Sequence, residues 1–461
     1  MFILLVLCLY QLLLTLFLLV LSIAPPIQPI AVANTAYELF LTTGDIEAAD
    51  KAVLLYQSLF EELENNSTEP EIDKVQKARV AGKLSAVLAQ RFEHLGNVDD
   101  MKQAIEVQAK AAALAFTDPA NQALQTESMA GLGRILTLQF EHTGDVVDAE
   151  LAVGILNKVL TDLPENSTTR PVVLGDIAQA YFARYQHFDN EADLNTALDN
   201  CQEAINLVPF HAPEHALLSN VLGNTLVARF ERSQSLIDIN SAVVHLQAAI
   251  DPLNATSPDR PKRLSHYGDA LLARFQVQRD ADDLRESINI QTEALGLLDS
   301  KNASRSVVAG CLASSYYARY KHLGNDITDL DEAIEHFKTA VELTLFSSPA
   351  YPGVTDQLAM AFMSKYQATL DVEILDYAII LHQQVVALTS GNSRHRLERL
   401  KHIGYAYVRR YRSPHSPQLA DDRNSAIDVL TEALDIIGGD INHPEYDFIM
   451  SELGRIGHTV P

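Results

Sequence analysis

The chain has 461 residues, no Trp, and 60 Asp plus Glu against 35 Lys plus Arg, for a formal charge of −25. That balance argues against nucleic acid, whose phosphates are bound by Lys and Arg displacing counterions, and against attachment to anionic lipid. It favours a partner that is basic or mixed in charge.

Residues 1–24 hold no charged side chain, and their length suits a bilayer-spanning helix of about 20 apolar residues. They lack the basic start and the apolar core of about 7–15 residues that mark a cleaved signal. The expectation is a single N-terminal membrane anchor at 1–24, hence a membrane-anchored protein. The alternatives are a cleaved signal, giving a secreted chain, and a misplaced start, giving a cytoplasmic one. Residues 25–30, with Pro25, Pro26 and Pro29, read as a stiff linker.

From residue 31 to 437 one pattern recurs. An aromatic stands at Phe40, Phe92, Phe140, Tyr185, Phe230, Phe275, Tyr320, Tyr366 and Tyr411, and after the first two intervals the spacing is 45 or 46 residues. Seven residues before each aromatic is a small residue, as at Ala178, Gly223, Gly268, Ala313 and Gly404. Such a column means that a neighbouring helix passes close by. A second small column runs through Ala52, Ala104, Ala152, Ala197, Ala242, Ser287, Ala333, Ala378 and Ala426. The stretch 264–298 shows the unit most cleanly. Its first helix carries Leu264, Gly268, Leu271, Leu272 and Phe275 on one face, Gln276 to Ala281 break the pattern, and Asp283 is placed to cap a second helix. The two helices are expected to lie antiparallel, and a fixed period repeated in this way predicts a repeat array. The array is expected to form one domain, with 438–461 as a capping helix or a truncated repeat. The five Asn-x-Ser/Thr triplets, at Asn65, Asn66, Asn166, Asn254 and Asn302, fall between repeats, where a glycan would be tolerated. Cys201 and Cys311 lie three repeats apart, too far for a disulfide.

One polar pair recurs: a basic residue before the aromatic and an Asp near the start of the second helix. The pairs are Arg91 with Asp100, Arg184 with Asp193, Arg229 with Asp238, Arg274 with Asp283, Arg319 with Asp329 and Arg410 with Asp422. The third repeat keeps Asp148 but has Gln139, and the eighth has Lys365 with Ile374. These pairs are expected to brace the hairpin, with Asp also capping the second helix; an Arg ladder gripping an acidic partner is the competing reading. His211 and His215 are four residues apart, but Pro213 between them argues against a regular helix and no third ligand stands out, so no metal site is expected. His94, His142, His187 and His322 share one column, read as a turn position. No phosphate loop, nucleophile elbow or dinucleotide fingerprint is found. No catalytic residue and no cofactor is expected, and the chain reads as a non-enzyme.

The small, aromatic and Ala columns, with Pro164 and Pro209 twelve residues after Ala152 and Ala197, resemble the tetratricopeptide repeat, lengthened from about 34 residues. The phrase L-x-x-R-F-E-x-x-G-[DN]-x-x-D from Leu88 to Asp100 resembles the long-repeat arrays of basidiomycete fungi, which often precede a caspase-like CHAT protease domain; that domain is absent here. The resemblance implies an all-α fold, an α-solenoid and right-handed superhelix of about nine hairpins. It also implies a concave groove that binds a protein or peptide. The alternative it offers is a sensor or regulatory arm for a CHAT-type protease.

Overall fold

The structure, a computed structural model, describes residues 29–65, 70–117, 121–251, 255–346, 348, 350–391, 395–413 and 419–458. It is all-α, with no strand among these residues. The helices pair into hairpins: α1 (Pro29–Thr43) with α2 (Ile46–Asn65), α3 (Pro70–Leu95) with α4 (Val98–Ala115), and α5 (Gln122–Thr143) with α6 (Val146–Asp162). Next come α7 (Arg170–Phe188) with α8 (Glu191–Asn206), α9 (Pro213–Ser233) with α10 (Leu236–Ile250), and α11 (Arg260–Gln278) with α12 (Ala281–Gly296). The last three are α13 (Arg305–His322) with α14 (Ile327–Leu343), α15 (Tyr351–Thr369) with α16 (Val372–Leu388), and α17 (Arg396–Tyr411) with α18 (Leu419–Ile436). Helix α19 (Tyr446–Arg455) follows and packs on α17 and α18. The array is an α-solenoid of tetratricopeptide-like hairpins. It divides into two compact units, one reaching Ile135 and including Thr256–Pro258, the other holding the remainder.

The first eight hairpins each turn on a short, repeated link. The first helix ends on a residue in the left-handed region, at Gly44, Gly96, Gly144, Asp189, Gln234, Arg279 and Leu370, with φ between 55° and 72°. In all of these but the fifth, where Ser235 makes no such bond, the next side chain then caps the second helix. Asp45, Asn97, Asp145, Asn190, Asp280 and Asp371 each accept from the backbone N–H two residues on. In the seventh hairpin Gly324 and Asn325 share the left-handed role and Asp326 caps. Two expectations are corrected here. Helix α11 runs on to Gln278, so the polar break shrinks to Arg279 and Asp280. The recurrent Asp is not the cap; Asp283 lies three residues inside the helix that Asp280 caps.

The small columns are explained by packing. A Cβ on Gly223 would come within 2.5 Å of Leu246 Cγ, one on Gly404 within 2.6 Å of Leu430, and one on Gly268 within 2.6 Å of Gln291. The second-helix column from Ala52 to Ala426, including Ser287, is fully buried. Between hairpins, the histidine column packs edge-on to the preceding aromatic: His94 on Phe40, His187 on Phe140 and His322 on Phe275. These histidines close the last turn of the first helix, so they are stacking residues as much as turn residues. In the second unit each first helix from α7 to α17 also touches the next first helix, whereas second helices meet the following first helix instead.

Among the described residues no helix is long and apolar enough to cross a membrane. Even the longest, α3, carries Lys74, Lys77, Arg79, Lys83 and Arg91 along its length. This overturns the expected membrane-anchored localisation; residues 1–24, where the span was expected, lie outside the described residues. The tolerance of a glycan at Asn302 is also corrected, because that side chain is 6% exposed and accepts from Ser304 N. Cys201 and Cys311 are both free thiols.

Candidate functional site

The recurrent pairs meet across the turn of the six hairpins that carry them. Arg91 donates from Nε and Nη2 to both oxygens of Asp100 at 2.8 and 2.6 Å. The same bidentate bond joins Arg229 to Asp238, Arg274 to Asp283, Arg319 to Asp329 and Arg410 to Asp422. Arg184 approaches Asp193 at 3.3 Å. The carboxylates are buried and the guanidiniums partly exposed. Three of the cations also reach back one hairpin, Arg91 to Asp50, Lys365 to Asp331 and Arg410 to Asp376, at 2.6 to 2.7 Å. In the third hairpin Gln139 Oε1 and Asp148 Oδ2 are both buried without a hydrogen-bond partner, and burial pushes the Asp148 carboxyl up.

A second set of pairs, not foreseen from the sequence, closes the opposite end. Arg170 meets Glu203, Arg260 meets Glu293 and Arg396 meets Glu432 at 2.5 to 3.0 Å. The signal was available, since the three Arg residues share one column at the start of the first helix and the three Glu another late in the second.

The first helices of the second unit are linked by polar side chains that packing does not require. His266 Nδ1 lies 3.0 Å from Asn220 Oδ1 and 3.1 Å from Asn224 Nδ2. Cys311 Sγ donates to Asp269 Oδ2 at 2.9 Å, and Gln291 donates to the other oxygen. Tyr317 and Ser364 share a hydrogen bond, and Gln367 donates to Tyr405. Burial pushes the His266 imidazole down to about 3 and the Asp269 carboxyl up to about 7. Burial pushes the Cys311 thiol up as well, and the neighbouring Asp269 carboxylate adds to this.

At the end of this strip three helices bring Asp356 (α15), His382 (α16) and His402 (α17) together. His382 Nδ1 is 3.1 Å from Asp356 Oδ1, and His402 Nδ1 is 3.2 Å from Oδ2. His382 is 1% exposed, and its Nε2 is buried with no hydrogen-bond partner. Burial pushes the Asp356 carboxyl up, but the hydrogen bonds from the two imidazoles outweigh it and hold the group well below the usual carboxylate range. Burial pushes the His382 imidazole down. The donor atoms lie within 4.8 Å of one another, the one such group among the described residues. The sequence reading passed over it. The signal was His382 itself, in a column otherwise filled by Tyr56, Gln108, Leu156, Cys201, Leu246, Gln291, Phe337 and Leu430. His211 and His215, the pair weighed instead, stack edge-on to Phe210. Pro213 begins α9, so His215 lies in that helix and His211 before it, and no regular helix carries the pair, as expected.

No family model matches the chain, and no curated protein matches it. Among solved structures it is similar to the nearly identical tetratricopeptide-like repeats of a kinesin light chain from Podospora anserina, with 19% identity, a TM-score of 0.35, and coverage of 50% of this chain and 99% of that one. It is similar to a Rap protein complexed with competence and sporulation factor, with 12% identity, a TM-score of 0.42, and coverage of 88% and 99%. It is also similar to a signal-transduction ATPase with a tetratricopeptide repeat sensor from Pyrococcus horikoshii, with 10% identity, a TM-score of 0.46, and coverage of 94% and 70%. At these scores the likenesses carry no further weight, and the fold assignment rests on the hairpins themselves.

Proposed function

We propose that the chain is a non-catalytic scaffold binding a partner protein or peptide, basic or mixed in charge, along the shared face of its first helices. The observation that carries this is the half-buried polar strip from Asn220 to His402, set in a chain with a formal charge of −25. The recurrent Arg side chains are occupied by internal carboxylates, which leaves acidic groups in excess for an incoming partner. We read the Arg–Asp pairs as braces, and residues 31–437 as one functional array with 438–461 as its cap.

The test is capture on the full chain of peptides graded in charge, with affinity measured against salt. Basic peptides should bind and weaken as salt rises. An Asn224→Ala, Gln367→Ala variant should bind about tenfold more weakly, a loss of roughly 1.4 kcal/mol, at unchanged stability. Arg229→Ala should lower stability and leave binding intact. If Arg229→Ala instead abolished binding with stability untouched, the bracing role would be wrong, and turnover in a hydrolase assay would sink the non-catalytic reading. The phrase from Leu88 to Asp100 favours a second reading, a regulatory arm of a CHAT-type protease as in the fungal arrays. Altered activity of such a protease on adding the chain would support it.

A further inference from the structure

We propose that Asp356, His382 and His402 form a binding site for one divalent transition-metal ion of the zinc type. The donors come from three successive helices, so no local helical contact explains their convergence. Two imidazole nitrogens and a carboxylate are the ligands that zinc and its borderline neighbours take, rather than calcium or magnesium. The geometry is close to ready. Metal–ligand bonds of about 2.0–2.2 Å put tetrahedral ligands roughly 3.3–3.6 Å apart; here the Nδ1 to carboxylate distances are 3.1, 3.2 and 3.4 Å. The three donor atoms lie within 4.8 Å of one another, so the two imidazoles would draw together on a shared cation as the hydrogen-bonding protons are lost. Three protein ligands leave a fourth position for water or a partner side chain.

The surroundings fit the same reading. His402 Nε2 lies 3.9 Å from Glu398 Oε2, beyond hydrogen-bond distance but placed where an orienting carboxylate for a ligating histidine would stand. Arg399 donates to Thr389 Oγ1 at 2.5 Å and keeps its charge within reach of Asp356, so a bound cation would sit beside it. His382 is the one histidine in a column that elsewhere holds Leu156, Leu246, Phe337 and Leu430 but also Gln108 and Gln291, and it turns its Nδ1 towards Asp356. A bound cation would tie the eighth hairpin to the ninth at the end of the proposed binding strip.

The test uses the full chain, stripped with chelator and titrated with Co2+. One equivalent should bind with the visible spectrum of a four-coordinate nitrogen and oxygen site, and Zn2+ should displace it. An Asp356→Asn, His402→Gln variant should bind about 100-fold more weakly with its helical circular dichroism unchanged, while a His211→Gln, His215→Gln variant should bind as the parent does. Equal binding by the parent and the first variant would mean surface histidines only and would overturn the site, as would the absence of a bound equivalent in the parent. Zinc-edge absorption on the parent chain needs no variant: two imidazoles in the coordination shell support the site, and a shell without them refutes it.

Discussion

Gln139 stands where most hairpins carry a cation, facing a buried Asp148 whose Oδ2 has no partner. Gln139→Arg should complete the bidentate bond seen at Arg229 and Arg274. A charge-assisted pair that relieves a buried carboxylate should stabilise by about 1–2 kcal/mol, read as a higher urea midpoint at unchanged slope. Asp269 carries a pH dependence. Its carboxyl is pushed up to about 7 in the fold from an ordinary 3.8. Between those values the folded chain holds a proton that the unfolded chain has released, so stability falls as pH rises and stays low above the upper value. Asp269→Asn should remove that contribution, narrowing the gap between thermal midpoints at pH 5 and pH 8; an unchanged gap would place the titration elsewhere. At this scale the sequence was half legible. Arg and Asp could be paired because they recur, but the capping role went to the wrong residue. An Asp at the first turn looks alike in both places, and only the left-handed residue just before Asp280 marks it as the cap.

Helices in these hairpins approach as closely as the smallest side chain allows. Gly223 faces Leu246, and an added Cβ would also sit 3.3 Å from the backbone oxygen of Ala242. Gly223→Ala should therefore cost about 1–3 kcal/mol by overpacking, even though Ala is the better helix former; a gain in the urea midpoint would refute the close approach. The same column holds Ala178 and Ala313, both fully buried, so the penalty belongs to the hairpin and not to the column. Sequence periodicity reveals that something passes close but not what passes, because the partner depends on how the second helix is rotated. The pairing of Arg170, Arg260 and Arg396 with late second-helix Glu residues was missed for a related reason. Their columns are about 33 residues apart in sequence, beyond the range of local pairing rules.

Across the molecule, the array was legible because each copy repeats the same solution and nine aromatics at a near-constant interval leave little freedom. The metal-type cluster was not legible for the converse reason. Asp356, His382 and His402 occur once, on three helices, and a reading built on columns discards singletons. The link between paired helices has a mechanical consequence. Where one residue stands in the left-handed region and the next is held by its own capping bond, a hairpin has almost no free torsion and behaves as a bar rather than a clamp. Slack resides instead in the longer joints between hairpins, such as residues 163–169 and 207–212. Strain imposed by a partner would be taken up at those joints, leaving each bar as it was.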